Sequence, residues 1–147
     1  MSANGTGVSN VYSDTGTHVI PSVAIPGPSV TQPDPASTPT GQVFNGNSSS
    51  FMGDAFIFAT EDGTIAGWQS ADAATATMRI DNSATMAVYK GIAIGQASNG
   101  NARLYAANFH NGTVDVFDSQ YQPVGGNGFV DPQLPAGFAP FNVAVIP

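Results

Sequence analysis

Apolar and polar positions along this chain alternate in short runs, and nearly every run breaks at glycine, asparagine, aspartate or proline. No apolar pattern with a period of 3.6 persists for about 11 residues, so helices are not expected. Period-2 runs of four to eight residues bounded by turn formers predict β-strands throughout.

The runs recur. Gly7–Tyr12 (GVSNVY), Gly63–Trp68 (GTIAGW) and Gly112–Phe117 (GTVDVF) each place an aromatic five positions after a glycine, and the glycines are 56 and 49 residues apart. A second series, GQVF from Gly41, GIAI from Gly91 and NVAV from Asn142, has spacings of 50 and 51. AFIFAT (55–60) and RLYAANF (103–109) precede two of the glycine–aromatic runs. HVIPSVAIP (18–26), ATATMRID (74–81) and, more weakly, QPVGGNGFV (122–130) follow them. One unit of about 50 residues therefore holds four short strands, a, b, c and d, the signature of a β-propeller blade.

The fold class expected is all-β: a partial propeller, roughly half a ring, with two whole blades and parts of two more. Residues 1–26 end one blade, 27–40 form a long proline-rich loop, 41–81 and 82–130 are blades, and 131–147 start the next. Propellers usually have about four to eight blades. The remaining blades would come from a longer protein or from other copies of the chain, because exposed strand edges are an aggregation hazard.

Charge narrows the partners. Arg79, Lys90 and Arg103 are the only cations against ten acids, for a net charge of −7. No basic stripe exists to meet nucleic acid or an anionic membrane surface. There is no apolar run of ~18 residues, so no membrane span is expected. Only 9% of residues are charged, and solubility rests on Ser, Thr, Asn, Gln and Gly, a balance common in exported β-proteins. Cysteine is absent, which excludes disulfides and thiolate metal sites. The opening MSANGTGVSN lacks a signal peptide's basic start and apolar block. The expectation is a piece cut from the interior of a longer extracellular or cell-surface precursor.

FIFATEDGTIAGW, AVYKGIAIG, RLYAANFHNGTVDVFD and VDPQLPAGFAPFNVAVIP together closely resemble an uncharacterised family of exported bacterial β-propeller-like proteins. Similar sequences occur in fungi, and some bacterial members carry an exosortase-type C-terminal sorting signal. The resemblance covers most of the chain, from NGTGVSNVYS onward. It implies a propeller fold and export, and brings no assigned chemistry. The family's proteins extend beyond both ends of this chain.

Candidate chemistry is sparse. His110 lies in NFHNGTVDVFDS, and alignment with TEDGTIAGW sets Asn111-Gly112 opposite Asp62-Gly63 and His110 opposite Glu61. Asn-Gly and Asp-Gly predict two-residue type I′ hairpin turns with positive φ at both central positions. A turn with a solvated histidine accounts for the motif without chemistry. Asp115 alternates with Val114 and Val116 and so faces away from them; Asp118 is a strand-end turn former; His18 is read as structural on an outer strand. Asn4, Asn47 and Asn111 begin Asn-x-Ser/Thr sequons, relevant only in a eukaryotic secretory protein.

In propellers the d-to-a and b-to-c connections emerge on one face around the axis. Here that face would carry Glu61, Asp62, Asp81, Asn82, Tyr89, Lys90, His110, Asn111 and Asp131. Lys90, Tyr89, His110 and Asn111 are the candidate ligand-binding residues. Lys90 would hold a carboxylate or phosphate as a point charge, or else pair with Asp81 or Asp131. Glu61, Asp62, Asp81 and Asp131 are candidate Ca²⁺ ligands, assembled from separate loops because no DxDxDG loop is present.

No GxSxG, HExxH, Walker A or GxGxxG motif occurs. The first expectation is a non-catalytic extracellular module that binds a polymer or small molecule or scaffolds a surface. The second is a subunit that self-assembles through exposed edge strands. The third is a metal-dependent hydrolase resembling six-bladed propeller lactonases, with Glu61, Asp81 and Asp131 as ligands and His110 or Lys90 as acid–base group.

Overall fold

The computed structural model describes residues 2–19, 22–28, 37–125, 129 and 131–146. The chain is all-β, in three antiparallel sheets. The first contains β1 (Ser2–Ala3), β2 (Val8–Ser9) and β3 (Val23–Ala24) in that order. The second contains β4 (Pro39–Phe44), β5 (Phe56–Thr60), β6 (Thr64–Trp68) and β7 (Thr77–Asp81). In the third, β9 (Ala102–Asn108) lies between β8 (Tyr89–Gln96) and β10 (Thr113–Asp118). Residues beyond β10 bridge to it through Phe117 and Pro123.

Period-2 alternation lets the central sheet bury both faces. Ile57, Ala59 and Ile65 pack with Ile92, Leu104, Ala106 and Phe117 of the third sheet. Phe58 and Ala66 point the other way and pack with Val23 and Ile25 beside the first sheet. Burial of each large apolar side chain contributes about 1.5–3 kcal/mol, so the stacking is held mainly by these two clusters.

The hairpin turns differ from expectation. Gly7, Gly63 and Gly112 all have positive φ (65°, 79° and 68°), but Asp62 and Asn111 do not. The turns are not type I′. Residues 61–63 form a three-residue loop closed by a left-handed glycine, and 109–112 form a four-residue loop. The extra residue shifts the alignment, so that Thr60 corresponds to Asn108, and Glu61 no longer stands opposite His110 alone.

Strand bounds also differ. β4 begins at Pro39 rather than Gly41, with proline at a strand start where its missing N–H is tolerated. Most of the proline-rich loop lies outside the described residues, as does much of the 122–130 run. Asn142–Val145 forms no strand. It runs beside β8 instead: a Cβ on Gly91 would stand 2.2 Å from Asn142 Oδ1. β4 approaches β8 similarly, since a Cβ on Gly41 would stand 3.2 Å from Ile92 Cγ2.

Three β-bulges position side chains. In β4 the partners step from Pro39–Thr60 to Gly41–Ala59, which leaves Thr40 extra. In β8 they step from Tyr89–Asn108 to Gly91–Ala107, which leaves Lys90 extra. In β7 they step from Ile80–Ile65 to Met78–Ala66, which leaves Arg79 extra. A bulge re-aims its side chain out of the pleat, and two of the three cations are delivered this way.

Candidate functional site

Lys90 crosses from its bulge to the β5–β6 turn and pairs with Glu61, rather than with Asp81 or Asp131. Its ammonium also stands 5.9 Å from the Phe109 ring and 5.8 Å from the Phe141 ring. Those two rings meet edge to face at 6.1 Å. Cation–ring attraction follows from the quadrupole of the ring face. The lysine expected to bind an anion therefore serves as a tie between the β5–β6 turn, the β9–β10 turn and the 141–146 segment.

Beside this tie is an open cleft of about 390 Å³, lined by Val88, Phe109, His110, Asn111, Phe138 and the glycines and alanine next to them. His110 and Asn111, both predicted, are exposed at its rim. Phe138 is 70% exposed and Phe109 42%. The lining combines aromatic faces with uncharged or weakly basic polar tips and contains no acid.

Tyr89 is buried rather than at the rim. Its hydroxyl accepts from Asn82 Nδ2 at 2.7 Å and donates to Asp115 Oδ2 at 2.9 Å. Burial, and then the neighbouring Asp115, push the phenol above its usual pKa, against the opposing hydrogen bond from Asn82. Asp115 also accepts from Asn108 Nδ2 and Thr113 Oγ1. Asn108 Oδ1 in turn accepts from Val88 N and Asn111 N. This network fixes the base of the cleft.

The four acids proposed for Ca²⁺ are engaged separately. Glu61 holds Lys90. Asp62 accepts from Thr38 N at 2.6 Å and Thr38 Oγ1 at 2.8 Å. Asp81 accepts from Ser83 N, and Asp131 from Gln133 N. Among the described residues no group of three or more His, Asp or Glu is placed to hold a metal ion. His18 faces Tyr12 at a ring separation of 5.4 Å.

One cluster has no precedent in the sequence reading. Asp54, fully buried, accepts from Arg79 Nε at 2.8 Å, Arg79 Nη2 (to Oδ1) at 2.6 Å and Tyr121 Oη at 2.6 Å. The hydrogen bond to Asp54 raises the Arg79 pKa despite burial. Burial and then the bond to Asp54 raise that of Tyr121. Tyr121 adopts φ 61°, a strained conformation for a bulky residue that this anchorage holds. The only sequence signal was Gly67, whose position looks arbitrary until Asp54 is seen against it.

The aromatic wall was also missed. Phe138 and Phe141 lie in PAGFAPFN, where phenylalanine between proline and glycine reads as a loop. In comparisons with protein families, curated proteins and solved structures, nothing matches the chain.

Proposed function

We infer that this chain is a non-catalytic module of an exported, β-propeller-like protein, and that it binds a neutral, hydroxyl-rich polymer of the saccharide class through the Phe109–Phe138 cleft. The observation that carries the reading is the cleft's composition. Aromatic faces are exposed beside His110 and Asn111, which offer hydrogen bonds without a fixed carboxylate. Binding sites typically combine apolar walls with a few polar groups that fix orientation. A sugar ring offers a C–H face to the phenylalanines and hydroxyls to the imidazole and amide.

Several features support the propeller-like part. The sheets stack face to face, the bulges of β4 and β8 lie 50 positions apart, and three hairpins share a left-handed glycine. The resemblance to exported proteins and the low charge support export.

A glycan array followed by calorimetry tests the reading. Binding of a neutral saccharide is expected, weakened about tenfold or more by Phe138→Ala, which corresponds to about 1.4 kcal/mol. His110→Ala should weaken it less. Retained affinity in Phe138→Ala, or no binding across neutral glycans, would overturn it.

A further inference from the structure

Asn111 and Gly112 carry a chemistry that the turn itself does not need. When asparagine precedes glycine, the glycine's amide nitrogen is unshielded, because no Cβ stands beside it. Four Asn-Gly pairs occur among the described residues, beginning at Asn4, Asn45, Asn99 and Asn111. Their surroundings differ.

Asn45 is buried and its carboxamide is held at both ends. Nδ2 donates to Ser50 O at 3.1 Å and Asp54 O at 2.8 Å, and Oδ1 accepts from Asn47 N at 3.0 Å. Asn99 is exposed, but its Oδ1 accepts from Asn101 N at 3.1 Å, and Gly100 N donates to Ala97 O at 2.8 Å. Asn111 is exposed in the 109–112 loop. Among the described residues its carboxamide makes no hydrogen bond, and Gly112 N donates to none. A Cβ built on Gly112 would meet nothing within 4 Å. Both reacting groups are therefore unheld, with open space around them. The turn selects the pairing, since Gly112 has φ 68°, where glycine is favoured.

We propose that Asn111 is a site of spontaneous modification, deamidation through a cyclic imide, which switches the cleft off as the protein ages. This rests on the saccharide-binding reading above. Gly112 N gives its proton to solvent base and attacks Asn111 Cγ. The new N–C bond forms, the bond from Cγ to Nδ2 breaks, and that nitrogen leaves as ammonia. Water then adds to either imide carbonyl and opens the ring, giving aspartate or isoaspartate. The sum is amide plus water to carboxylic acid plus ammonia, with no oxidant or reductant.

Either product alters the cleft. A carboxamide offers two donors, whereas a carboxylate only accepts. A lining without an acid gains a negative charge beside His110. Isoaspartate also adds a carbon to the main chain, in a loop whose Phe109, His110 and Gly112 line the cleft. Asn111 N ties that loop to the buried network through Asn108 Oδ1 at 3.3 Å, so the added length falls on the rim.

The purified chain is aged at mildly alkaline pH and separated by anion exchange, since each conversion adds a negative charge. Peptide mapping with electron-transfer fragmentation assigns the converted site in each fraction and tells isoaspartate from aspartate. Asn111 should convert well before Asn99, and Asn45 should stay intact while the chain is folded. Asn4 is also exposed but does not line the cleft, so its conversion is an internal control. The probe is the neutral saccharide that the fresh chain binds best on the glycan array. Fractions converted at Asn111 should bind it about tenfold more weakly. Fractions converted only at Asn4 or Asn99 should bind as the fresh chain does. An intact Asn111 in chains already converted at Asn99, or undiminished binding by the Asn111-converted fraction, would overturn the proposal. Mapping needs no ligand, so the two readings fail separately. Conversion at Asn111 in a chain that binds no glycan even when fresh ends the saccharide reading, and the switch with it, but leaves the modification site. An intact Asn111 in a chain that binds ends the switch and keeps the proposed function.

Discussion

Gly67 lies directly under the carboxylate of Asp54, so that a Cβ at position 67 would stand 1.7 Å from Oδ2. The glycine makes room for the buried ion pair with Arg79 and for the Tyr121 hydroxyl. Gly67→Ala must displace one of the three groups, at a cost of about 1–3 kcal/mol or more. Asp54→Asn keeps the volume but leaves Arg79 largely buried without a counter-charge, at about 3–5 kcal/mol. Urea denaturation monitored by Trp68 fluorescence measures both. A change below about 0.5 kcal/mol in either variant, the size of an ordinary surface substitution, contradicts the assignment.

Alkaline pH should weaken the fold through Tyr89 and Tyr121. Both phenols are raised in the folded state, chiefly by burial. A raised folded pKa means that the native state holds its proton longer than the unfolded chain. The stabilisation is therefore intact below the unfolded value of about 10 and is lost as pH rises above it. Unfolding midpoints between about pH 8 and pH 11 should fall steeply near the upper end. Tyr89→Phe and Tyr121→Phe should each flatten that fall while lowering stability at neutral pH.

Lys90→Met removes the Glu61 pair and two ring contacts. The pair is partly exposed and screened, worth about 0–1 kcal/mol, with about 0.5–1 kcal/mol per ring contact. The local effect should exceed the global one. Backbone NMR order parameters at residues 141–146 should fall, and less in Glu61→Gln, which retains the rings. Unchanged order parameters in Lys90→Met would mean that the tie holds nothing.

Calcium should leave the melting temperature unchanged, because Glu61, Asp62, Asp81 and Asp131 serve four separate partners. A site filled at 100 times its Kd would add about 2.7 kcal/mol. A rise in melting temperature reversed by chelator would show that the acids converge after all.

The strand content was legible because alternation is a local property. FIFAT, TIAGW and TVDVF became β5, β6 and most of β10, and RLYAAN lies within β9. The turn type was misjudged because Asp-Gly and Asn-Gly also suit longer loops in which only the glycine is left-handed. NVAV carries the pattern of a strand, but among the described residues it pairs with none. Pattern reports the propensity for a strand; pairing depends on what lies beside it. The candidate site was half visible. His110 and Asn111 reach the cleft, whereas Tyr89 is turned inward by its bonds to Asn82 and Asp115. The Asp54–Arg79–Tyr121 cluster joins positions up to 67 residues apart, and no local pattern encodes it.

The placement of the cations has a practical result. Trypsin cuts only after lysine and arginine, and here Arg79, Lys90 and Arg103 all sit within strands β7, β8 and β9. A protease must draw an extended, unpaired segment into its cleft, so every tryptic site is closed while the sheets hold. Digestion then tracks the population of globally opened molecules. This chain carries its own stability gauge: the rate at which trypsin fragments it should follow each of the destabilised variants above.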